Sequence, residues 1–249
     1  MANPNFVQDV KILNPTFAAS DTLTRPANAT PYAATPQSIN CNLTVTEVAY
    51  TGLVVTVKAA AHGLVAGDRF TLAGVNTGAT LTNVDGNWVV TSADTDHIVF
   101  SVASQPTGTT PQTGLTITGA IAKCLSVDVG GIAGGGVLLS RLSVTLPGVA
   151  MTQAVRLWLY SRQPTVAVDQ SAFTLLAANN TYRSRPVDLF PLTEATGSDV
   201  TFASATLNEI FKCDPADTRI YLRLSSEGAG TPTSAGMVTV KISGIQRLG

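Results

Sequence analysis

Two histidines, His62 and His97, are the side chains of this 249-residue chain best suited to acid–base or metal chemistry. His97 follows Asp94 and Asp96 closely, so an imidazole and two carboxylates are available for a surface metal ion. A structural metal site uses about four ligands at a defined spacing, and two separated histidines do not supply them. We therefore interpret both histidines as hydrogen-bonded turn residues and predict that the chain binds no metal.

Carboxylate pairs are scarce, although a glycosidase needs two of them flanking the bond that it cleaves. Asp68 and Asp85 are candidates, but each lies beside a glycine, where an aspartate side chain typically caps its own turn. The glycine run at 130–136 (GGIAGGG) lacks the Lys-Ser/Thr ending of a phosphate loop, and the chain contains no G-x-S-x-G motif. We predict that the protein is not an enzyme and has no catalytic residues and no cofactor.

Charge, hydropathy and cysteine usage exclude several classes of partner. Fifteen basic and sixteen acidic residues give a net charge of −1, so nothing favours binding to nucleic acid. No apolar run approaches the roughly 18 residues of a membrane span, and no Sec-type signal is visible, which predicts assembly in a cytoplasm. Cys41, Cys124 and Cys213 are odd in number and show no CxxC spacing, which predicts reduced, buried thiols.

The elements that must position these residues are predicted to be strands. Hydrophobic residues make up 45% of the chain and charged residues only 12%, against about 25% charged in an average soluble domain. Abundant Val, Ile and Thr favour the pleated surface of a sheet, and 21 glycines and 13 prolines supply the turns. We predict an all-β fold.

The strand pattern divides the chain into an interrupted domain and an insertion. Residues 43–118 are predicted to form a small inserted β-barrel or sandwich module. Its predicted strands are a hairpin at 43–46 and 53–57 and three further strands around Phe70, Trp88 and Ile98. Residues 1–42 and 119–249 are predicted to form a discontinuous antiparallel β-sandwich, jelly-roll-like, with an N-terminal arm. Short helical turns are expected near 171–173 and 186–189.

Two segments carry the residues that we predict at an interface. In 155–160 the alternation puts Arg156, Trp158 and Tyr160 on one face of a strand whose other face is apolar. The proline-rich N-terminal segment adds Arg25, Pro26 and Tyr32, because extended arms of this kind clasp neighbouring subunits. The alternative for the strand is that the inserted module or a long loop of the same chain covers it.

One resemblance concerns the inserted module. The segments that carry it are 61–74 (AHGLVAGDRFTLAG), 85–90 (DGNWVV) and 96–100 (DHIVF). They resemble a small β module that recurs in virion proteins of tailed bacteriophages and is similar to the first catalytic-cysteine half-domain of ubiquitin-activating enzymes. The resemblance implies a binding or spacer module without chemistry.

A second resemblance concerns the flanking segments 23–34 (LTRPANATPYAA), 135–142 (GGVLLSRL) and 156–160 (RLWLY). They resemble a family of phage structural proteins that look like capsid-associated β-sandwiches. The sequence departs from that pattern after Tyr32-Ala33, where 34–36 (ATP) stands in place of the usual Gly-Asp.

Together the two resemblances imply a virion structural protein of a tailed phage, assembled in the bacterial cytoplasm. We expect a capsid decoration protein on the outside of the head, which forms a homo-oligomer, in particular a trimer, and binds the major capsid protein. The alternatives are a tail, collar or fibre protein whose inserted module binds host surface glycans, and a depolymerase enzyme with two converging carboxylates.

Overall fold

A computed structural model describes most of the chain. It covers residues 15–26, 31–76, 81–108, 115–131, 133–147, 155–184, 186–189, 193–194, 200–230 and 236–247. The first fourteen residues of the predicted N-terminal arm lie outside the described residues. Within the described part, no helix is long and apolar enough to cross a membrane.

The described elements are sixteen strands and one short 3-10 helix. The strands are β1 (Thr16–Thr24), β2 (Gln37–Ile39), β3 (Leu43–Thr51), β4 (Val54–Lys58), β5 (Arg69–Ala73), β6 (Gly86–Val89), β7 (Ser92–Ala93), β8 (His97–Ser101), β9 (Leu115–Asp128), β10 (Gly136–Pro147), β11 (Val155–Tyr160), β12 (Val187–Leu189), β13 (Thr193–Glu194), β14 (Val200–Lys212), β15 (Arg219–Ser226) and β16 (Met237–Arg247). The 3-10 helix spans Ala177–Tyr182. The all-β prediction is confirmed.

Eight of these strands form an antiparallel sandwich with jelly-roll connectivity. One sheet has the order β1-β16-β10-β14, extended by β13, and the facing sheet contains β12-β11-β15-β9. The first strand of the roll pairs with the last, the second with the seventh, the third with the sixth and the fourth with the fifth. This nested pairing is that of a long hairpin rolled upon itself, which is the jelly roll. The jelly-roll-like sandwich is confirmed.

The core of the sandwich comes from the alternation along its strands. Leu139, Leu142 and Val144 of β10 face Leu157 and Leu159 of β11 within one buried cluster. Serine, threonine, Arg141 and Lys241 occupy most of the intervening positions of β10 and β16, where the sheet faces outward. A period of two assigns residues to the core or the surface on either side of a β-bulge between Leu139 and Arg141, where both Ser140 and Arg141 are exposed.

The segment between β1 and β9 builds a second hydrophobic core. Strands β7, β8, β4, β3, β9, β5 and β6 follow one another in hydrogen-bonded order around it. Phe70 and Phe100 meet edge to face at its centre, and half-buried Trp88 stacks on Phe100. The predicted hairpin forms as β3 and β4, with Gly52 at positive φ in the turn. The predicted strands around Phe70, Trp88 and Ile98 also form.

Strand β9 belongs to both cores. Its first part pairs with β3 and β5 of the module, and Leu125–Asp128 pairs with β15 of the sandwich. The sequence predicts that the module ends just before Gly119, but the strand continues straight through this residue. A Cβ at Gly119 would lie 2.4 Å from Val75 Cγ2, so the glycine permits close packing and does not end the strand. The predicted module boundary at residue 118 falls inside this strand.

Two local predictions are wrong. Residues 186–189, expected to be helical, include strand β12, which pairs with β11 because its buried Val187 and Leu189 complete the core. Residues 171–173 form a turn and a single β-bridge, and the one short helix lies later, at Ala177–Tyr182. Strand β14 was also missed, since its core positions include Thr201, Ala203 and Ala205, which give no apolar alternation.

Candidate interaction surfaces

Both histidines have hydrogen-bond partners, as the sequence indicated, but His97 is the first residue of strand β8 and does not lie in a turn. The His62 ring is buried: its Nδ1 accepts from Leu64 N at 3.0 Å, and its Nε2 donates to His97 O at 3.2 Å. His97 lies at the surface with its Nδ1 3.2 Å from Asp94 Oδ2. Among the described residues, no group of three His, Cys, Asp or Glu side chains is arranged to hold a metal ion.

The candidate carboxylates also cap turns. Asp85 accepts hydrogen bonds from Gly74 N at 3.1 Å and Val75 N at 2.8 Å. Asp68 accepts from Val65 N at 3.0 Å and pairs with Lys123. Both carboxylates therefore have structural partners that account for their positions.

The three cysteines are free and buried in the structure, as predicted. Burial raises the pKa of Cys41 to about 11, that of Cys124 to about 12 and that of Cys213 to about 11. A thiol with a raised pKa is protonated at neutral pH and is a poor nucleophile. These cysteines fill core positions.

A cleft of about 500 Å³ lies between the module and the sandwich and is large enough for a small molecule. Its polar lining includes His62, Arg25 and Lys123, but each of these side chains already binds another part of the protein. Ligand pockets place free polar groups where they converge on a ligand. The three side chains named here are engaged within the protein and do not converge on the cleft in this way.

Charged groups join the module to the sandwich. Lys123 Nζ lies 3.0 Å from Asp21 Oδ1 of β1 and 3.0 Å from Asp68 Oδ1 of the module. Burial acts to lower the pKa of Lys123, but the two carboxylates outweigh it and hold this pKa above its usual value. Nearby, Arg69 Nε of the module donates to Tyr221 OH of β15 at 2.8 Å. These contacts fix the module against the sandwich.

A buried ionic network holds the N-terminal segment to the loop at 161–184. Arg25 Nη2 lies 2.7 Å from Asp169 Oδ2, and both side chains are almost fully buried. Tyr32 OH donates to Asp169 Oδ1 at 2.7 Å and accepts from Arg25 Nε at 2.8 Å. Burial and the Asp169 charge raise the pKa of Tyr32 far above its usual value. The network is a fixed element of the fold.

The same loop covers the outward side of the sheet β12-β11-β15-β9. Trp158 stacks on Phe173 of the loop with ring centroids 5.7 Å apart, and the Arg183 guanidinium lies 5.1 Å from the Trp158 centroid. Arg223 lies 4.4 Å from the Phe173 centroid and donates to Thr174 O at 3.1 Å. Tyr160 contributes to this second layer of packing. We call this side the covered face.

The six residues predicted at an interface therefore occupy different environments. Arg25, Tyr32, Trp158 and Tyr160 are buried by other parts of the same chain, whereas Pro26 and Arg156 are half-buried. A covering loop is the alternative that the sequence left open for 155–160. Arg156 pairs with Asp188 at 2.5 Å and with Glu227 at 3.1 Å on the rim of the covered face. Their role at an interface stays a prediction.

The outward side of the other sheet is different, and we call it the bare face. It consists of the outward side chains of β1, β16, β10 and β14, which are mostly serine and threonine. Phe202, Ile210 and Met237 are 44%, 56% and 58% exposed on it. Leu138 pairs in register with both Ile210 and Ile245, so apolar side chains form a row across three strands at one end.

The charges of the bare face have one sign. Arg141 and Lys241 flank a depression of about 400 Å³ whose floor is made of small residues, including Ala18, Ser143 and Ser243. The carboxylates of these four strands, Asp21 and Glu209, lie in register with the core residues Val240 and Leu139, on the opposite side of the sheet. Sequence reasoning missed this surface.

The reason for this omission is that the cations come from strands far apart in the chain. Arg141 and Lys241 become neighbours only because β10 pairs with β16, and no local motif connects them. Asp169 was missed for the same reason, since it lies 144 residues from Arg25. The available signal was the alternation of Ser, Thr and Lys along 237–245, which indicates an outward face.

Comparison with known proteins adds no identification. No protein-family model and no curated protein matches the chain. Among solved structures, it is similar to a mutant VP2 protein of infectious bursal disease virus in T=1 particles. The identity is 6%, with 95% of this chain and 78% of that chain covered, at a TM-score of 0.13. A similarity this low carries no argument about this chain.

Proposed function

We propose that this chain is a virion structural protein of a tailed phage, and specifically a decoration protein on the outside of the capsid. In this proposal it forms an oligomer, in particular a trimer, and binds the major capsid protein to stabilise the head. The inserted module projects from the particle and is free to contact other molecules, host glycans included.

The observation that carries the proposal is the contrast between the two outward sides of the sandwich. A loop of the chain covers one of them, whereas no described segment covers the other, on which Phe202, Ile210 and Met237 are exposed. Contiguous apolar patches on a surface mark places where proteins bind one another, and the row of Leu138, Ile210 and Ile245 forms such a patch here. Burying such a surface contributes roughly 25 cal/mol per Å² of apolar area, and many copies on one particle add avidity.

A binding experiment with virus particles tests the proposal. The purified full-length chain is mixed with heads, and separately with tails, of the virus that encodes it, each prepared without this protein, and bound chain is measured by sedimentation. We expect binding to heads and a higher temperature of DNA release from the decorated heads. Binding to tails alone, together with binding to immobilised host polysaccharide, would favour the tail, collar or fibre alternative.

A further inference from the structure

The bare face has a charge pattern that restricts its partner. Its two central cations, Arg141 and Lys241, are exposed and lie on adjacent strands, each one diagonal from the other across the β10–β16 pair. Diagonal neighbours of this kind have Cα atoms about 7–8 Å apart, close enough for a single anionic group to contact both. Exposed Lys212 adds a third positive charge on the same side of β14.

These cations have no carboxylate partner among the described residues. Arg141 Nη2 donates to Ser204 Oγ at 3.3 Å, and no hydrogen bond or ion pair of Lys241 is found in the described part of the chain. Two other solvent-facing cations of the described residues are paired, Lys58 with Glu47 and Arg162 with Asp214. The pair on the bare face differs from them and is available to an external anion.

We propose that the bare face docks an acidic protein surface of another virion protein, one carboxylate of which enters the depression between Arg141 and Lys241. This inference rests on the proposed function and names the chemistry of the partner. The depression, about 400 Å³ with a floor of alanine and serine, has room for an aspartate or glutamate side chain. Positive and negative patches that meet in this way set the orientation of docking.

Two other occupants fit the surface less well. A second copy packed face to face about a two-fold axis through the depression would place Arg141 and Lys241 against those of its partner, which repels. A nucleic acid or sulfated polysaccharide would match the cations but would leave Phe202, Ile210 and Met237 without apolar contacts. An acidic protein surface with apolar residues at its edges would pair with the cations at the centre of the bare face and would contact the apolar side chains at its ends.

The test compares two charge-reversed variants of the full-length chain. Arg141→Glu/Lys241→Glu reverses the bare face, and Lys58→Glu/Arg162→Glu makes the same change in net charge elsewhere. Binding to undecorated heads is measured at several salt concentrations, with folding checked by circular dichroism. We expect the first variant to bind about 100-fold more weakly and the control within about threefold of the original. Original binding should weaken as salt rises from about 50 to 500 mM.

Each outcome has a defined meaning. Equal binding by the two variants and the original chain overturns the acidic-partner inference and leaves the proposed function in place. If the reversed variant misfolds, Arg141→Gln/Lys241→Gln must show the same loss in smaller degree, and normal head binding by this variant overturns the inference. Loss of self-association in the charge-reversed variant alone, measured by sedimentation of the free chain, assigns the face to a second copy and also overturns it.

A second probe separates this inference from the proposed function. The original chain and both variants are passed over immobilised polyglutamate and, separately, heparin. Selective retention of the original chain and the control on polyglutamate supports an acidic protein partner even if heads are not bound, in which case only the decoration role fails. Stronger retention on heparin than on polyglutamate contradicts the inference in favour of a polyanion of another class.

Discussion

The two outward sides of the sandwich differ in what lies on them, although they belong to one fold. On the covered face, large side chains such as Trp158 and Tyr160 are buried beneath a loop that is held by Arg25 and Asp169. On the bare face, serine and threonine alternate with a few exposed apolar residues and with cations that have no carboxylate partner among the described residues. The outward residues of the two sheets therefore differ, and the path of the loop at 161–184 decides which sheet is covered.

This difference implies a division of roles. The covered face adds a second layer of packing and therefore stability, because buried aromatic side chains remove large apolar areas from water. The bare face adds little to the stability of the isolated chain, since its side chains remain largely in water. The comparison predicts that a substitution on the covered face lowers stability more than an equivalent substitution on the bare face. It predicts that a substitution on the bare face lowers binding more.

The largest effect on the free energy of unfolding is expected at the buried ion pair of Arg25 and Asp169, which holds the covering loop. Replacing Asp169 with alanine leaves Arg25 buried without its counter-ion and removes the acceptor of Tyr32. Loss of one partner of a buried pair costs about 3–5 kcal/mol of the free energy of unfolding. Urea denaturation followed by tryptophan fluorescence measures this change.

Asp188→Ala is the matched control for Asp169→Ala. This carboxylate also pairs with an arginine, Arg156, but its side chain is 44% exposed, so the loss should stay below about 1 kcal/mol. Equal losses for Asp169→Ala and Asp188→Ala would contradict the idea that burial of the ionic network holds the covering loop.

Matched aromatic truncations compare the two faces directly. Trp158→Ala should cost about 3–5 kcal/mol, because the residue is only 7% exposed and its ring stacks on Phe173. Phe202→Ala, on the bare face at 44% exposure, should cost less than about 1 kcal/mol. Thermal or urea unfolding of both variants gives the comparison. A larger cost for Phe202 than for Trp158 would reverse the assignment of the two faces.

Alkaline pH should lower the free energy of unfolding through the thiol of Cys124, which is buried on the covered face. The pKa of Cys124 is raised by burial to about 12 from an ordinary value of 9.0. Above about pH 9 the unfolded chain loses this proton while the folded chain keeps it, so stability is complete below pH 9 and falls as pH rises towards 12. The expected slope is about 1.4 kcal/mol per pH unit for each such thiol.

The measurement for this prediction is urea unfolding in reductant between pH 8 and pH 11. Cys41 and Cys213, with pKa values raised to about 11, contribute to the slope with the same sign. The variant Cys124→Ala serves as the comparison, and its stability should fall less steeply with pH. An unchanged slope in this variant would show that other groups cause the alkaline loss.

Local patterns predicted most of the fold. The alternation in 155–160 indicated one core face and one face with larger residues, and both are found. Glycine turns and β-branched runs predicted the hairpin of β3 and β4. Strand β14 was not predicted, because Thr201 and Ala203 face the core while Phe202 faces outward. This arrangement inverts the expected pattern of large apolar residues inside and polar residues outside.

The surfaces were much less predictable, because they depend on contacts between distant parts of the chain. Trp158 and Tyr160 looked like interface residues, and only the path of the loop at 161–184 decides that they are covered. In the same way, Arg141 and Lys241 show no local signal, and the pairing of β10 with β16 creates their shared surface. A periodic pattern identifies an outward face but does not tell what lies on it.

The smallest effect on folding is expected from polar substitutions of exposed apolar residues on the bare face. Ile210→Thr and Met237→Thr should change the free energy of unfolding by no more than about 0.5 kcal/mol, because both side chains are more than half exposed. Their binding to undecorated heads should fall, since contact with the capsid would bury them. Val65→Thr, equally exposed but on the module, is the control and should bind normally. If Val65→Thr lowers head binding and the other two variants do not, the capsid contact belongs to the module, and the bare face needs another explanation.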